Sequence, residues 1–272
     1  MALPAHLLGQ LPAGVTQGST LPETVAGNAS ARADALPIGF LGLDAYLPDR
    51  GLLRGSVVEM AVAAPTSLAT SIALAACRAA QQAGQQQGHD ETWCAFVDPS
   101  STLYAPGVAA AGVDLARLLV VRPTPESLAR TALRLVRARA FAVVVIDLVG
   151  VPGVIWDPAG ATSGGLGGWR RRGVALGTWP RIVRQLALAI EATATSVLLL
   201  TDSEARRPIP LPVAMRIELG RVGEQRLSLR IAKEQRGRIS PPRSLTWTRP
   251  RLALARLASK GARRRELVSS PG

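Results

Sequence analysis

The sequence predicts an α/β fold: a mostly parallel β-sheet flanked by helices, with late antiparallel strands at one edge. Three observations predict it. Short apolar, β-branched runs (VVEM, WCAFV, LLVVR, FAVVVID and SVLLL) alternate with helix-length segments between residues 55 and 200, the spacing of a parallel sheet wound with helices. FAVVVIDLV, residues 141–149, is apolar almost throughout, as expected of a strand covered on both faces. From about residue 213 the runs AMRIELGRV, QRLSLRIAKE and RSLTWTRP follow one another with no helix between them, which antiparallel pairing allows.

Taken in order, residues 1–36 are rich in Ala, Gly, Pro and Thr and read as a leader, with room for a short helix near residues 5–10. The α/β domain is expected over residues 37–249. Leu41, Leu43, Tyr46 and Leu47 supply a short apolar helical face; Gly51 breaks it, and Gly55 permits the turn into a strand ending near Met60. A helix over 67–83 follows, then a Gln/Gly-rich solvent loop at 84–90 and a buried strand at 93–98 bounded by Pro99. Residues 105–116 read as a short helix stopped at Gly112, and 118–122 as a strand. Thr124 and Pro125 form an N-cap and N1 pair for a helix to about Ala140. Strand 141–149, a helix over 179–194 and strand 196–200 complete the alternation. Residues 250–272 are expected to form a basic helix and tail.

With 47% hydrophobic residues in 272, the chain can bury a substantial core and is not a disordered protein. Its net charge of +13 is unevenly placed: residues 201–272 hold 17 basic and six acidic side chains, against 15 and 13 in residues 1–200. A positive field in the last quarter favours nucleic acid or an acidic protein face as partner. Cys77 and Cys94 lack disulfide or zinc spacing and are expected to be buried thiols. The apolar stretch 141–156 is interrupted by Asp147, Gly150, Pro152 and Gly153, so no membrane span is expected. Without a basic start and apolar core at the N-terminus, the expected location is the cytoplasm.

Residues 55–71, GSVVEMAVAAPTSLATS, have the strand–turn–helix layout in which phosphate-binding loops occur, yet the phosphate chemistry is missing. Val62 stands where such a loop has its first Gly, Ser67 where it has its second, Leu68 where it has Lys, and Ala69 where it has the Mg²⁺-binding hydroxyl. Leu68 brings no charge to offset an anion, and Cβ atoms crowd the turn. The plain alternative is one βα unit that never held a nucleotide.

Three ordered segments, IGFLGLDAYLPDRGLLRGSVVEM, FVDPSSTLYAPGVAAAGVDLARLLVVRP and RIAKEQRGRISPP, resemble the RecA superfamily over residues 37–249. The second segment resembles the ImuA-like (SulA-like) proteins, RecA-related accessory factors of bacterial mutagenic DNA repair. The resemblance implies a RecA-like core. It also places Ser100 where an active RecA carries the Glu that orients the attacking water, and a hydroxyl is a poor base. Asp147 matches the Walker-B aspartate; it also reads as a strand-end Asp capping the next turn. The polar sensor pair falls at Thr201 and Asp202. Phosphoryl transfer needs cradle, metal and water-positioning group together, so no ATP hydrolysis and no cofactor are expected.

Several basic groups are candidates for nucleic acid. Residues 150–179 are Gly-rich, with Trp156, Trp169, Trp179 and the run Arg170, Arg171, Arg172. Aromatics interleaved with arginine suit single-stranded DNA, and a solvated insertion is the alternative. The turn after the late strands carries Lys233, Arg236 and Arg238. In the tail, Leu252, Leu254 and Leu257 precede Arg263, Arg264 and Arg265, a partner-docking helix, a DNA arm or a frayed end. Arg130, Arg134 and Arg137 share one helix face, either solvated or a binding ridge. The expectation is a non-catalytic RecA-fold adaptor in the DNA damage response and error-prone translesion synthesis. The resemblance implies a RecA filament, a Y-family-like polymerase homologue and an error-prone replicative-type polymerase as partners. A SulA-like division regulator, or a divergent DNA-dependent ATPase, are the competing readings.

Overall fold

Side chains alternate across a strand, so a strand covered on both faces needs apolar residues at every position. Val143, Val144, Val145 and Ile146 meet that demand and are fully buried. They lie in β6 (Phe141–Asp147), inside an eight-stranded sheet. The computed structural model describes residues 35–40, 42–62, 68–89, 91–149, 151, 179–203, 210–222 and 226–246. Asp34–Gly272 forms one compact unit; the other unit, Met1–Ala33, lies outside the described residues, as do residues 152–178 and 247–272.

A two-residue pair, β1 (Ala35–Leu36) with β2 (Leu52–Leu53), precedes the large sheet. The other elements are β3 (Val57–Val62), α1 (Ala69–Gln86), β4 (Trp93–Val97), α2 (Ala105–Ala110), β5 (Leu118–Val121), α3 (Leu128–Arg137), α4 (Trp179–Ile190), β7 (Ser196–Asp202), β8 (Met215–Arg221), β9 (Arg226–Glu234) and β10 (Arg243–Thr246). The sheet order is β10-β9-β8-β3-β7-β6-β4-β5. Pairing is parallel from β8 through β3, β7, β6 and β4 to β5, and antiparallel between β8, β9 and β10. The expected α/β class, with late antiparallel strands at one edge, is what forms.

Alternation along the strands divides the core in two. Val58, Met60, Phe96, Val143 and Leu198 meet α1 and Val108 on one face. Val57, Val97, Val144, Ile146 and Val197 meet Leu128, Ala132 and Val136 of α3 and Trp179, Val183, Leu186 and Ile190 of α4 on the other. Ala73, Ala76, Cys77 and Ala80 give α1 a small-residue face that is fully covered. Cys77 and Cys94 are both free thiols and buried, as expected.

Several boundaries differ from expectation for local reasons. Ala35 and Leu36 belong to the fold rather than to a leader, because their backbone pairs with Leu53 and Leu52. The expected helix 105–116 is two pieces: Gly112 adopts φ +82, and a 3-10 turn, Leu115–Arg117, starts where Asp114 accepts a bond from the Ala116 N–H. Thr124 and Pro125 open a turn closed by Ser127 N–H on the Thr124 carbonyl (3.0 Å), and the helix begins at Leu128.

Gly55 has a required role. Its φ is +64, and a Cβ there would lie 2.8 Å from the Thr193 carbonyl oxygen. Gly55→Ala is expected to lower stability by about 2 kcal/mol, from left-handed strain plus displacement of the backbone after α4. A urea midpoint equal to wild type would show that the turn can open without cost.

Candidate functional site

In parallel sheets, ligand sites form beyond the carboxyl ends of the strands, and that end collects most of the expected nucleotide-site positions. Val62 closes β3 and is buried. Residues 63–67, Ser67 among them, lie outside the described residues. Leu68 is half-buried against the core beneath α1, and its carbonyl accepts the Ile72 N–H at 2.8 Å. Ala69, where a hydroxyl would hold Mg²⁺, is 3% exposed. Both residues are thus apolar and packed against the core.

Asp147 ends β6 on the same face as α1, next to the loop that follows β4. Its Oδ1 accepts the Val149 N–H at 2.9 Å, a strand-end turn. The Val149 carbonyl in turn accepts the Ser100 hydroxyl at 3.4 Å. Ser100 is therefore tied to the segment after β6. Burial pushes the Asp147 carboxyl up to about 6; the Val149 N–H opposes the shift, and the Asp98 carboxylate adds to it.

Asp98 is the residue that sequence reading passed over. Fully buried, it accepts the N–H groups of Thr102 (2.9 Å) and Leu103 (3.0 Å), the Thr102 hydroxyl (3.3 Å) and Arg122 Nε (3.3 Å). It organises the loop leaving β4. The available signal was a carboxylate closing an apolar strand just before Pro99. Glu59 was missed for the same reason. It sits mid-strand in β3, fully buried, on the face opposite α1; it accepts the Thr201 hydroxyl at 2.7 Å and lies 3.7 Å from Arg216 Nη1. Thr201 thus turns its hydroxyl toward Glu59, away from the Asp147 face, while Asp202 is half-buried at the end of β7.

In the basic turn, two of the three cations have partners within the chain. Arg238 makes two bonds to Asp49 (Nη1–Oδ1 2.8 Å, Nη2–Oδ2 2.7 Å) and one to Glu234 Oε1 (2.9 Å). Lys233 Nζ donates to the Leu211 carbonyl at 3.1 Å. Both cations thus hold parts of the chain together. Arg236 is exposed, with its backbone N–H on Glu234 Oε2 (2.7 Å). Trp179 is fully buried in α4, so it belongs to the core rather than to a base-stacking loop. Trp169, Arg170, Arg171, Arg172, Arg263, Arg264 and Arg265 lie outside the described residues. Among the described residues no group of three or more His, Cys, Asp or Glu could hold a metal ion, and no helix is long and apolar enough to cross a membrane.

The family model of the RecA N-terminal domain matches residues 13–201, well over half of the chain. The chain belongs to the RecA family. No curated protein matches it. In this RecA-family core two strand-end aspartates, Asp98 and Asp147, stand at the carboxyl edge. Leu68 and Ala69 stand where the helix after β3 begins.

Proposed function

We propose that this RecA-family chain is a non-catalytic accessory protein. It contacts DNA and protein partners in the DNA damage response, in the manner of the ImuA-like factors that its segment 96–123 resembles. The observation carrying this reading is the packing of Leu68 and Ala69: the positions that would meet phosphate and metal are apolar and built into the core. Ser100, where the water-orienting Glu would stand, hydrogen-bonds to the Val149 carbonyl instead. Removing cradle, metal ligand and base together leaves a scaffold whose use is its surfaces. The partners on this reading are single-stranded DNA, a RecA filament and an error-prone or Y-family-like polymerase. An apolar edge supports the protein contacts: Tyr104, Leu115, Leu119 and Val120 are exposed large side chains on and beside β5, the edge strand.

The test is anisotropy of labelled single-stranded DNA at two salt concentrations, with and without ATP, beside an ATPase assay. Salt-sensitive binding indifferent to ATP, with turnover at the no-protein baseline, is expected. Arg263, Arg264 and Arg265 changed together to Ala should weaken that binding and flatten its salt dependence. DNA-stimulated hydrolysis abolished by Asp147→Ala would overturn the non-catalytic reading. Absence of binding even at low salt would turn the reading toward a division regulator working through protein contacts.

A further inference from the structure

The arginine row of α3 does not stand alone. Arg130, Arg134 and Arg137 are exposed along α3, and Arg139 follows at its end. On the same side of the sheet, α4 packs beside α3 and exposes Arg181 and Arg184. None of the six forms an ion pair or hydrogen bond through its guanidinium with another described residue. Neither α3 nor α4 carries an acid; Glu126 precedes α3, Glu191 follows α4, and Glu91 lines the neighbouring groove with Arg139. Between the helices Arg137, Arg139, Gln185, Leu188 and Ala189 line an open groove of about 420 Å³. Arg139 holds this position with φ +53, a backbone conformation where glycine would sit without strain.

We propose that this α3–α4 face is a second nucleic-acid surface, one that takes the phosphate backbone of a DNA duplex. Three features carry the assignment. At 1.5 Å per residue, Arg130 to Arg137 spans about 10 Å, and packed helices stand about 8–10 Å apart. The face is therefore a two-row array of guanidinium groups on a helical frame, suited to bidentate phosphate contact. Among the described residues α3 and α4 expose no aromatic for base stacking, since Trp179 is fully buried, while Trp93, 40% exposed, lines a separate groove past Arg139; single-strand sites combine charge with stacking platforms. Among the described residues α3 and α4 also lack the apolar, aromatic centre of a protein interface, Leu188 being their one exposed large apolar residue. Charge without stacking or an apolar anchor fits backbone contact to a duplex.

The probes are a labelled DNA duplex and a labelled single strand, titrated with the full chain and with the variant R134Q/R137Q/R181Q/R184Q. All four positions are exposed and helix-compatible, and circular dichroism checks that the variant is folded. The expected result is a tenfold or greater loss of duplex affinity at low salt. The log–log salt slope should become shallower by about 0.9 for each phosphate that the variant no longer neutralises, while single-strand affinity changes little. Unchanged duplex affinity and slope, or no duplex binding by the parent chain, would overturn the proposal. So would displacement of the duplex by polyglutamate at equal charge concentration, which would assign the face to an acidic protein. The single-strand titration reads the tail and loop arginines separately, so either surface can fail without the other.

Discussion

Arg238→Ala is expected to lower unfolding free energy by about 2–3 kcal/mol and to leave the salt dependence of DNA binding unchanged. The guanidinium spans Asp49 in the segment before β2 and Glu234 at the end of β9. Those carboxylates are 6% and 0% exposed at the side chain. Removing one member of a buried pair costs about 3–5 kcal/mol. The lower figure applies because 36% of the Arg238 side chain meets water, and because Glu234 keeps the backbone N–H groups of residues 236 and 238. Arg238→Lys should recover only part of the loss, since an ammonium cannot make the fork to Asp49. Urea midpoints for the three proteins check this, and an unchanged midpoint for Ala would mean the clasp contributes nothing net.

The clasp also sets the acid limb of stability. The Arg238 bonds hold the Asp49 carboxyl below its ordinary range. Burial alone would raise Glu234, and the bonds from Arg238 and the backbone N–H groups outweigh it. Their contribution is present above the ordinary carboxylate range and is lost as pH falls through the depressed values.

Asp147→Asn is the second large effect, and it has the opposite sign. With the folded carboxyl at about 6, the native state holds its proton more tightly than the unfolded chain does. This contribution is full below about pH 4, declines as pH rises toward 6 and is gone above it. The swing is up to about 3 kcal/mol for a shift of roughly two units. Asn cannot ionise and its carbonyl can still accept the Val149 N–H, so the variant should gain about 2 kcal/mol over wild type at pH 8 and little at pH 4. Denaturation midpoints measured across pH 4–8 decide it. A variant less stable than wild type at pH 8 would mean that the carboxylate has a partner it needs in the native state, which would reopen the case for a metal at this edge.

Much of the architecture was legible because strand identity is local. FAVVVID, WCAFV and SVLLL carry their own apolar signal, and a strand buried on both faces allows no other composition. The expectation of a missing phosphate cradle rests likewise on local spacing, which assigns Leu68 and Ala69. Less could be seen where geometry is set by distant partners. Thr124–Pro125 looked like a helix start, and only the bond from Ser127 to the Thr124 carbonyl shows the turn that delays it to Leu128. Asp98 and Glu59 read as ordinary acids until their burial, and the Thr201 hydroxyl on Glu59, were seen.

Residue type at short spacing was enough for the α/β class and for the order of strands and helices along the chain. What the basic residues do depends instead on the folded chain. Arg238 meets Asp49 across 189 residues of chain, so its role as a clasp has no local signature. Arg181 and Arg184 join the row on α3 only because two crossover helices pack on the same face of the sheet. Charge is written in the sequence, but whether a guanidinium is paired is settled by what the fold brings within hydrogen-bonding reach of it.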